Sequence, residues 1–579
     1  MSRSQILRAE QVRRVDSHRQ MTPWRTLRQV WLAPVFALSA VTAVVLFGVF
    51  LFDWYANRPD HLQDLGPVDL LFHYDLETLQ NALGNLTQTV VAVLGIVTTV
   101  VAIVVQLAAT RYTPRVTELF FREKTNFIVF GFFAVTCVLA LWVSLAVGNG
   151  FVPHVSVAAA VILVTASLLL MFPYFIYVFD FLDPEKIVIR IQVKAFNATE
   201  KLRPERIEEA QELMLTSIEQ LADIALTATS QQDKIISCRA VDALRVLAVR
   251  YTRAKGELPM DWFDVGSQLN ENPDFQALSA EAVRDLVLKQ RWVEWTVLRK
   301  YQTIYNEALG TSSDMNYLIG INTRSLGEAA LATGTQGVGL VIKFFNTYLR
   351  ATINRGEVRT AYNVLYQYRL LVEAAVRAGE EKLVAEIASY FRYYGQVAHN
   401  QGLGFVTETT AYDLAAICEA AHRARMPCYS ALLDELLELD KEAEDEEQET
   451  TLRGVRKAQA RLATYFLIAK DEESARKIYG DMEDERPGRL ASIRDELLGV
   501  KSKDFWEVID RGANFDYMSE RRRSKLHEFF GWFSNVDPSA PGADTSRVAA
   551  PAGGVARSSS VHRRSSMEPG DPSPPREGT

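Results

Sequence analysis

Four apolar stretches without a charged residue occur in the first third of this chain, and they limit what it can fold into. They cover residues 32–52, 90–109, 127–147 and 155–179, and none of them contains Asp, Glu, Lys or Arg. A helix needs about 20 mostly apolar residues to cross the hydrocarbon core of a bilayer. One such stretch alone could be a buried helix of a soluble protein. Four in succession predict a four-span transmembrane domain over residues 30–182.

Charge on the connecting segments predicts the orientation of these spans. Residues 1–29 hold seven Arg against two acids, and residues 110–126 hold three Arg and one Lys. Residues 53–80 contain one cation, Arg58, and residues 148–154 contain none. Loops rich in Lys and Arg remain on the cytoplasmic side. We therefore predict a basic cytoplasmic arm over 1–29 and a multi-pass protein of the cell (inner) membrane, with both termini in the cytoplasm.

The composition argues against several classes of function. Lys and Arg number 63 against 71 Asp and Glu, so the net charge is −8 and there is no basic excess for nucleic acid. The four cysteines, Cys137, Cys238, Cys418 and Cys428, form no Cys-x-x-Cys pair and have no nearby His that completes a metal set. No nucleophile, base and oxyanion-donor combination stands out. We therefore predict no catalytic residue, no metal and no cofactor, and a protein that is not an enzyme.

Small and polar residues recur along one face of the second span. Their helical spacing begins before the apolar stretch at 90–109, so we place this span at 83–109. Small residues let helices approach closely, and amide or hydroxyl groups hydrogen-bond between helices. This small-residue stripe is either a packing seam inside the four-helix bundle or the lining of an oligomer axis or narrow water-filled path. No charged residue lies at membrane depth, which argues against a proton relay, a pump or a voltage sensor. The stripe consists of Asn85, Gln88, Ala92, Gly95, Thr99, Ala102 and Gln106.

A turn follows the second span and contains Arg111, Tyr112, Pro114 and Arg115. Thr113 as N-cap and Pro114 at the first helical position predict a short helix along the inner membrane surface. The turn is either a coupling element beneath the spans or a simple interfacial connector held by its arginines.

The second span, this turn and the third span resemble a known family. The run begins with Leu-Gly-Asn-Leu at 83–86, continues as Val-Gln-Leu-Ala-Ala-Thr-Arg-Tyr-Thr-Pro-Arg at 105–115, and is followed by the span from 127 to 145. It is similar to a bacterial family of predicted four-span membrane proteins with a domain of unknown function. The resemblance covers about residues 30–200. It implies the topology and a bacterial cell membrane, and it implies no activity, ligand or catalytic residue.

Residues 183–535 are predicted to form a cytoplasmic all-α domain. Isoleucine and valine at 187–193 also alternate as in a strand, but Asp183 and Pro184 favour the start of a helix. Turns near 379, 426 and 471 pair the helices as hairpins and predict a solenoid-like array without strict repeats. Residues 463–479 resemble a tetratricopeptide-type hairpin. Apolar residues recur at helical spacing over 205–227, 232–254, 279–309, 337–353, 357–378, 380–399, 408–424, 428–440, 451–469, 471–483, 487–499, 502–511 and 516–533.

Three polar segments carry weaker signals. The Gly-rich piece at 334–339 has neither the order nor the preceding strand of a phosphate loop, so we expect a helix C-cap and turn. The acidic run at 440–449 is expected to be a solvated loop or helix end, with a contact to a basic partner as the alternative. Residues 536–579 are rich in Pro, Gly and Ser and are predicted to be a disordered tail.

Together these features favour a membrane-anchored scaffold or sensor whose concave helical surface binds a cytoplasmic protein partner. The alternative is a homo-oligomeric channel or transporter in which the second span lines the path. The expected partners are therefore the lipid bilayer, a cytoplasmic protein and, in the second hypothesis, further copies of this chain.

Overall fold

The structure is a computed structural model of the full chain. It describes residues 76–111, 123–147, 153–200, 204–264, 266–334, 337–440, 449–503 and 510–533, together with a few isolated positions. Several predicted segments lie outside these residues: the arm over 1–29, most of the first span at 32–52, Tyr112, Pro114, Arg115, most of the acidic run, and the tail from 536. Of the first span, six positions between 44 and 52 are described, and they are helical.

The described residues form helices and contain no strand, so the all-α prediction is confirmed. Three long apolar helices come first and a series of shorter helices follows. The helices are α1 (Leu76–Arg111), α2 (Lys124–Ala146), α3 (His154–Phe181), α4 (Pro184–Glu200), α5 (Ile207–Ser230), α6 (Lys234–Ala254), α7 (Ser267–Glu271), α8 (Pro273–Gln276), α9 (Ala280–Leu288), α10 (Trp292–Ala308), α11 (Ser313–Thr333), α12 (Val338–Arg355), α13 (Val358–Ala378), α14 (Glu381–Asn400), α15 (Gly404–Arg423), α16 (Tyr429–Leu437), α17 (Glu449–Ala469), α18 (Glu472–Met482), α19 (Pro487–Gly499) and α20 (Glu520–Phe530).

Helices α1, α2 and α3 are each long and apolar enough to cross a membrane. Their buried contacts are apolar: Leu83 of α1 packs with Val143 of α2 and Ala160 of α3, and Val90 packs with Ala140 and Val164 further along. The buried hydroxyl of Ser167 donates to the carbonyl of Leu163 at 2.9 Å and also lies 3.3 Å from the Thr136 hydroxyl of α2. An α-helix pairs most of its backbone groups within itself, which hydrocarbon requires because it offers no water, although Pro173 inside α3 has no N–H to donate.

A short connector joins the last of these helices to the rest of the chain. Helix α3 ends at Phe181 and α4 begins at Pro184. The Asp183 carboxylate accepts a hydrogen bond from the backbone N–H of Glu185 at 3.0 Å, as an N-cap does. The prediction of a helix at this connector, rather than a strand, is confirmed.

Beyond α4 the helices pack in two layers. One layer contains α6, α11, α13 and α15 in sequence, each packed against the next, and the other contains α5, α10, α12, α14 and α16. Successive helices in the chain alternate between the layers from α10 onward. Aromatic side chains fill the space between them: Tyr305 stacks on Tyr348 with ring centroids 4.5 Å apart, and Phe345 stacks on Tyr368 at 4.8 Å. This is the predicted array of helical hairpins.

The hairpin turns recur at a regular spacing, whereas the sequence analysis predicted an array without strict repeats. Turns that lead into α11, α13 and α15 contain Gly310, Gly356 and Gly402, each with positive φ and about 46 residues apart. A tetratricopeptide repeat has about 34 residues, so this period does not support the predicted tetratricopeptide resemblance. Turns that lead out of the same layer contain Gly334, Gly379 and Arg425, also with positive φ. The first of these confirms the predicted C-cap in the Gly-rich piece.

Three parts of the predicted helix pattern were wrong. Helix α11 was missed because it buries polar residues, among them Asn316, Asn322 and Thr323, so its apolar periodicity is weak. The segment predicted as one helix over 279–309 is two helices, α9 and α10, separated by Gln290 with a φ of 54°. The described positions of the predicted helix over 502–511 are not helical.

The chain divides into two compact units. The first contains residues 1–459 and Val508–Gly512, and the second contains residues 460–507 and 513–579. Within the second, the ring of Tyr479 packs on Phe533 with centroids 4.7 Å apart, and the Arg461 guanidinium donates to the carbonyl of Phe515 at 2.6 Å. The five residues 508–512 thus belong to the first unit although the chain on both sides of them belongs to the second.

Gly395 tests the packing of α14 on α15. A Cβ at this position would lie 2.6 Å from Cδ1 of Leu439 and 3.0 Å from Cγ2 of Thr410, both inside the core. We expect Gly395→Ala to lower the stability of the array by about 1–3 kcal/mol through overpacking. Gly480→Ala is the control, since a Cβ in that helix meets nothing within 4 Å. The thermal midpoint in detergent should fall for the first variant and stay or rise for the second; equal midpoints would contradict the packing.

Candidate functional site

All seven residues of the small-residue stripe are exposed on α1. The packed face of α1 is the opposite one, where Val90, Val97, Val101 and Val105 are buried against α2 and α3. The stripe therefore does not pack against either of these two helices. A seam with the first span and a lining along an oligomer axis both involve partners outside the described residues, and both stay predictions.

The polar groups of the stripe differ in how they are satisfied. The Thr99 hydroxyl donates to the carbonyl of Gly95 at 2.8 Å, so its helix satisfies it. The carboxamides of Asn85, Gln88 and Gln106 make no hydrogen bond to any residue that the structure describes. At Gly95 a Cβ would meet nothing within 4 Å, so the backbone is open to a close approach. Unpaired amides and an open glycine suit contact with another helix or with water.

The predicted coupling turn is partly described. Arg111 is the last residue of α1, whereas Tyr112, Pro114 and Arg115 lie outside the described part. The residues just beyond the turn meet the end of α3: Phe120 is fully buried and its ring packs edge-on against Phe181 with centroids 5.4 Å apart.

The same end of the bundle joins α3 to α4. The backbone carbonyl of Phe120 accepts a hydrogen bond from Nδ2 of Asn126. The side-chain Oδ1 of Asn126 accepts one from the Tyr174 hydroxyl at 3.3 Å. The Arg190 guanidinium of α4 lies 3.9 Å from the ring centroid of Phe181. Burial lowers the pKa of Arg190 from its usual value, partly offset by Tyr177 and Glu123. This junction links α2, α3 and α4 through ring and amide contacts.

A second candidate site lies on α11, α13 and α15. Tyr317, Arg324 and Glu328 of α11 have counterparts about 45 residues later, within the helical-repeat range, in Tyr362, Arg369 and Glu373 of α13. In each helix the arginine pairs with the glutamate one turn on, at 2.9 Å in α11 and 2.6 Å in α13. All six of these residues are partly buried. The equivalent positions therefore form two parallel rows on one face of the layer.

A segment from late in the chain lies on this face. We call residues Val508–Gly512 the strap. The backbone N–H groups of Arg511 and Gly512 both donate to the carbonyl of Val508, at 2.8 Å and 2.9 Å. The strap is therefore a tight turn, and it presents the side chains of Asp510 and Arg511 together.

Arg511 pairs with a carboxylate at the heart of the array. Its two terminal nitrogens donate to the two oxygens of Asp413 in α15, at 2.9 Å and 3.2 Å. Both side chains are almost completely buried, with 2% and 3% exposed. Nε of Arg369 lies 3.1 Å from the same carboxylate. The rings of Tyr362 and Tyr366 lie 5.7 Å and 5.2 Å from the Arg511 guanidinium carbon, within cation–π range.

Asp510 makes the reciprocal interaction with α13. Its carboxylate accepts hydrogen bonds from Nε and Nη2 of Arg359 at 3.0 Å and 3.2 Å and from the Tyr362 hydroxyl at 2.9 Å. The Arg359 hydrogen bonds are the main cause that lowers the pKa of Asp510, while burial opposes them. Burial, and then the hydrogen bond to Asp510, raise the pKa of Tyr362 to about 12. At neutral pH the phenol is therefore a donor to a charged acceptor.

The strap and its receiving residues form a charge clamp of two pairs with opposite polarity. The array supplies a cation for Asp510 and an anion for Arg511, so the order of the two strap residues is fixed. Such bidentate arginine–carboxylate contacts are specific in direction as well as in charge. The clamp can recognise a peptide turn; its groups are paired with one another, and nothing in them suggests catalysis. Among the residues that the structure describes, no group of three or more His, Cys, Asp or Glu could hold a metal.

The sequence analysis predicted neither the rows nor the clamp. A signal for the rows exists: an apolar residue, any residue, then Glu-Ala-Ala occurs at 326–330, 371–375 and 417–421, in α11, α13 and α15. A search for internal repeats at about 45 residues finds this pattern. No local signal marks the strap, because Asp413 and Arg511 are far apart in sequence and both types are common on helix surfaces.

Comparison with known proteins supports the membrane assignment. Residues 28–248 match the family model described as "Predicted membrane protein (DUF2254)". The match confirms the resemblance to a membrane protein family of unknown function, and it extends from just before the predicted first span into α6. No curated protein and no solved structure matches the chain.

The two halves of the clamp should contribute unequally to stability. Asp413→Asn would leave the Arg511 guanidinium buried beside Arg369 without its anion, and losing one partner of a buried ion pair costs about 3–5 kcal/mol. Asp510→Asn should cost only about 0–1 kcal/mol, because the side chain of Arg359 is 56% exposed and solvent screens the pair. Urea unfolding of the full chain in detergent, followed by helical circular dichroism, compares the two; a larger loss for Asp510→Asn would refute the assignment.

Proposed function

We propose that this predicted membrane protein is a membrane-anchored scaffold or sensor whose helical array binds a protein partner in the cytoplasm. The observation that carries the proposal is the face of α11 and α13, where aromatic and charged side chains stand in rows at the repeat spacing. Helical arrays with such repeats commonly bind partners along an extended face.

The chemistry of this face favours protein over nucleic acid. Tyrosine and arginine, which dominate binding energy at protein interfaces, recur at Tyr317, Tyr362, Arg324 and Arg369. Glutamates pair with both arginines, so the face carries no excess of positive charge for phosphates. The occupied charge clamp supports the same conclusion, since it already holds a turn of polypeptide.

The cytoplasmic location rests on charge. The α1–α2 connection and the segment that follows α3 contain the Lys and Arg that flank the spans, including Lys186, Arg190 and Lys194, while the α2–α3 connection contains none. By the positive-inside preference, α4 and the array that follows lie in the cytoplasm. The contacts at the junction of α3 and α4 hold the start of the array close to the spans.

Site-specific photo-crosslinking in living cells tests the partner. A photoreactive amino acid at Tyr317 should give discrete adducts, and Arg324→Glu in the same chain should remove them. The control is the same amino acid at Lys382, an exposed position on α14 in the other layer. Adducts of equal pattern at both positions, or none at Tyr317, would count against a partner on this face.

A second candidate function, a homo-oligomeric channel or transporter, is favoured by the exposure of the small-residue stripe. Unpaired carboxamides are costly in hydrocarbon, and a second copy or a water-filled path would satisfy them. Gly95 is the position on this face where another helix could come closest. Val97 lies on the opposite face of α1 and is buried in the bundle.

Disulfide crosslinking separates contact between copies from contact with lipid. In a chain with its four cysteines replaced, Gly95→Cys should form a dimer in membranes on mild oxidation, whereas Val97→Cys should not. Liposomes then test conduction, since Gly95→Leu should change the flux of small solutes if α1 lines a path. Dimers without flux would retain the oligomer and eliminate the channel; no dimer would eliminate both.

A further inference from the structure

The strap occupies the proposed partner-binding face in the same way that a bound peptide would. Its five residues belong to the first compact unit, and the sequence on both sides belongs to the second. Its side-chain contacts reach α13 and α15 through the two pairs of the charge clamp. The face of the array is therefore occupied by a short turn that the chain itself supplies and that begins 85 residues after the end of α15.

The described side-chain contacts of the strap are mainly ionic. Val508 is only partly buried, and Ile509 lies outside the described residues. The Arg511–Asp413 pair is buried, and the desolvation of a buried ion pair offsets most of its attraction. The Asp510–Arg359 pair is partly exposed and screened by solvent. Such contacts fix the orientation of a ligand more strongly than they raise its affinity, so the strap can exchange with a competitor.

The receiving face also retains hydrogen-bonding capacity that the strap leaves unused. Asn363 donates to Asp510 through Nδ2 at 3.4 Å, yet its Oδ1 is buried without a partner among the described residues. Buried polar atoms without partners are uncommon and costly. Asn363 contacts the strap, so a ligand with one more donor could use this oxygen.

We propose that the face of α13 and α15 is a recognition site for a peptide turn in which an acidic residue precedes an arginine, and that the strap occupies this site in cis and excludes competing protein segments. The acidic residue is read by Arg359, Tyr362 and Asn363, and the arginine by Asp413 between two tyrosine rings. A partner with the same pair of residues in a turn binds only when the strap leaves. This inference rests on the proposed partner-binding function and adds its ligand chemistry and its regulation.

A peptide in trans tests the site directly. The probe is a fluorescein-labelled peptide of residues 506–514, and the protein is the full chain in lipid nanodiscs. A tethered segment competes at an effective concentration of about millimolar, so the wild-type protein should bind the micromolar probe poorly. A release variant, Asp510→Ala with Arg511→Ala, should bind it at least ~10-fold more tightly by fluorescence anisotropy. In this variant Asp413 keeps Arg369 as its counter-ion, so the fold should persist.

Two controls establish that the clamp does the binding. A probe peptide with alanine in place of its Asp and Arg should bind neither protein. Adding Arg359→Ala to the release variant should weaken probe binding, because this exposed side chain reads the acidic residue and contributes little to the fold. A release variant that is folded and does not bind the probe would overturn the proposal.

Hydrogen exchange of the wild-type protein decides the question should the release variant fail to fold. The amide hydrogens of Arg511 and Gly512 should exchange through local opening of the strap, well before those of α13. Exchange of both segments only together would show that the strap is a permanent part of the array and would overturn the proposal. A photo-adduct at Tyr317 without probe binding refutes this inference alone, whereas probe binding without any adduct refutes the proposed partner.

Discussion

The lack of water inside a bilayer determines the first third of this structure. Because hydrocarbon offers no hydrogen bonds, a spanning segment must satisfy its backbone internally, and α1, α2 and α3 do so as long helices. The same constraint applies to the hydrogen-bonding groups of the side chains. Hydroxyl groups such as Thr99 bond back to their own helix, whereas the carboxamides of the small-residue stripe reach outward. The stripe is therefore the part of the described membrane helices whose carboxamides have no hydrogen-bond partner within one copy of those helices.

The soluble helices obey a different constraint, which is the burial of polar groups. The array places Asp413, Arg511, Asn316 and Asn363 in its interior, where each polar atom left unpaired costs free energy. At the clamp this cost is met by bringing a distant segment of the chain onto α13 and α15. Polarity and direction, more than hydrophobic area, select which segment fits there.

Apolar length and periodicity predicted most of the fold. The three described spans and the majority of the later helices were placed within a few residues, because α2 and α3 are uniformly apolar and α13 or α14 have clear amphipathic faces. Helix α11 escaped because Asn316 and Thr323 are core residues there, which a pattern of apolar spacing cannot anticipate. The stripe was recognised, but its direction was not, since the sequence does not say which face of α1 meets α2. The strap depends on contacts between residues far apart in the chain, which no local pattern contains.

The regular spacing of the hairpin turns has a consequence for how this molecule can change over evolutionary time. Each hairpin from α10 to α15 contacts mainly the hairpins before and after it. Its contribution to the stability of the array therefore depends largely on these neighbours. The shared Glu-Ala-Ala pattern of α11, α13 and α15 is what unequal duplication of one ancestral unit would leave behind. A gene that gained or lost one such unit would lengthen or shorten the array in discrete steps, while the membrane anchor stayed as it is.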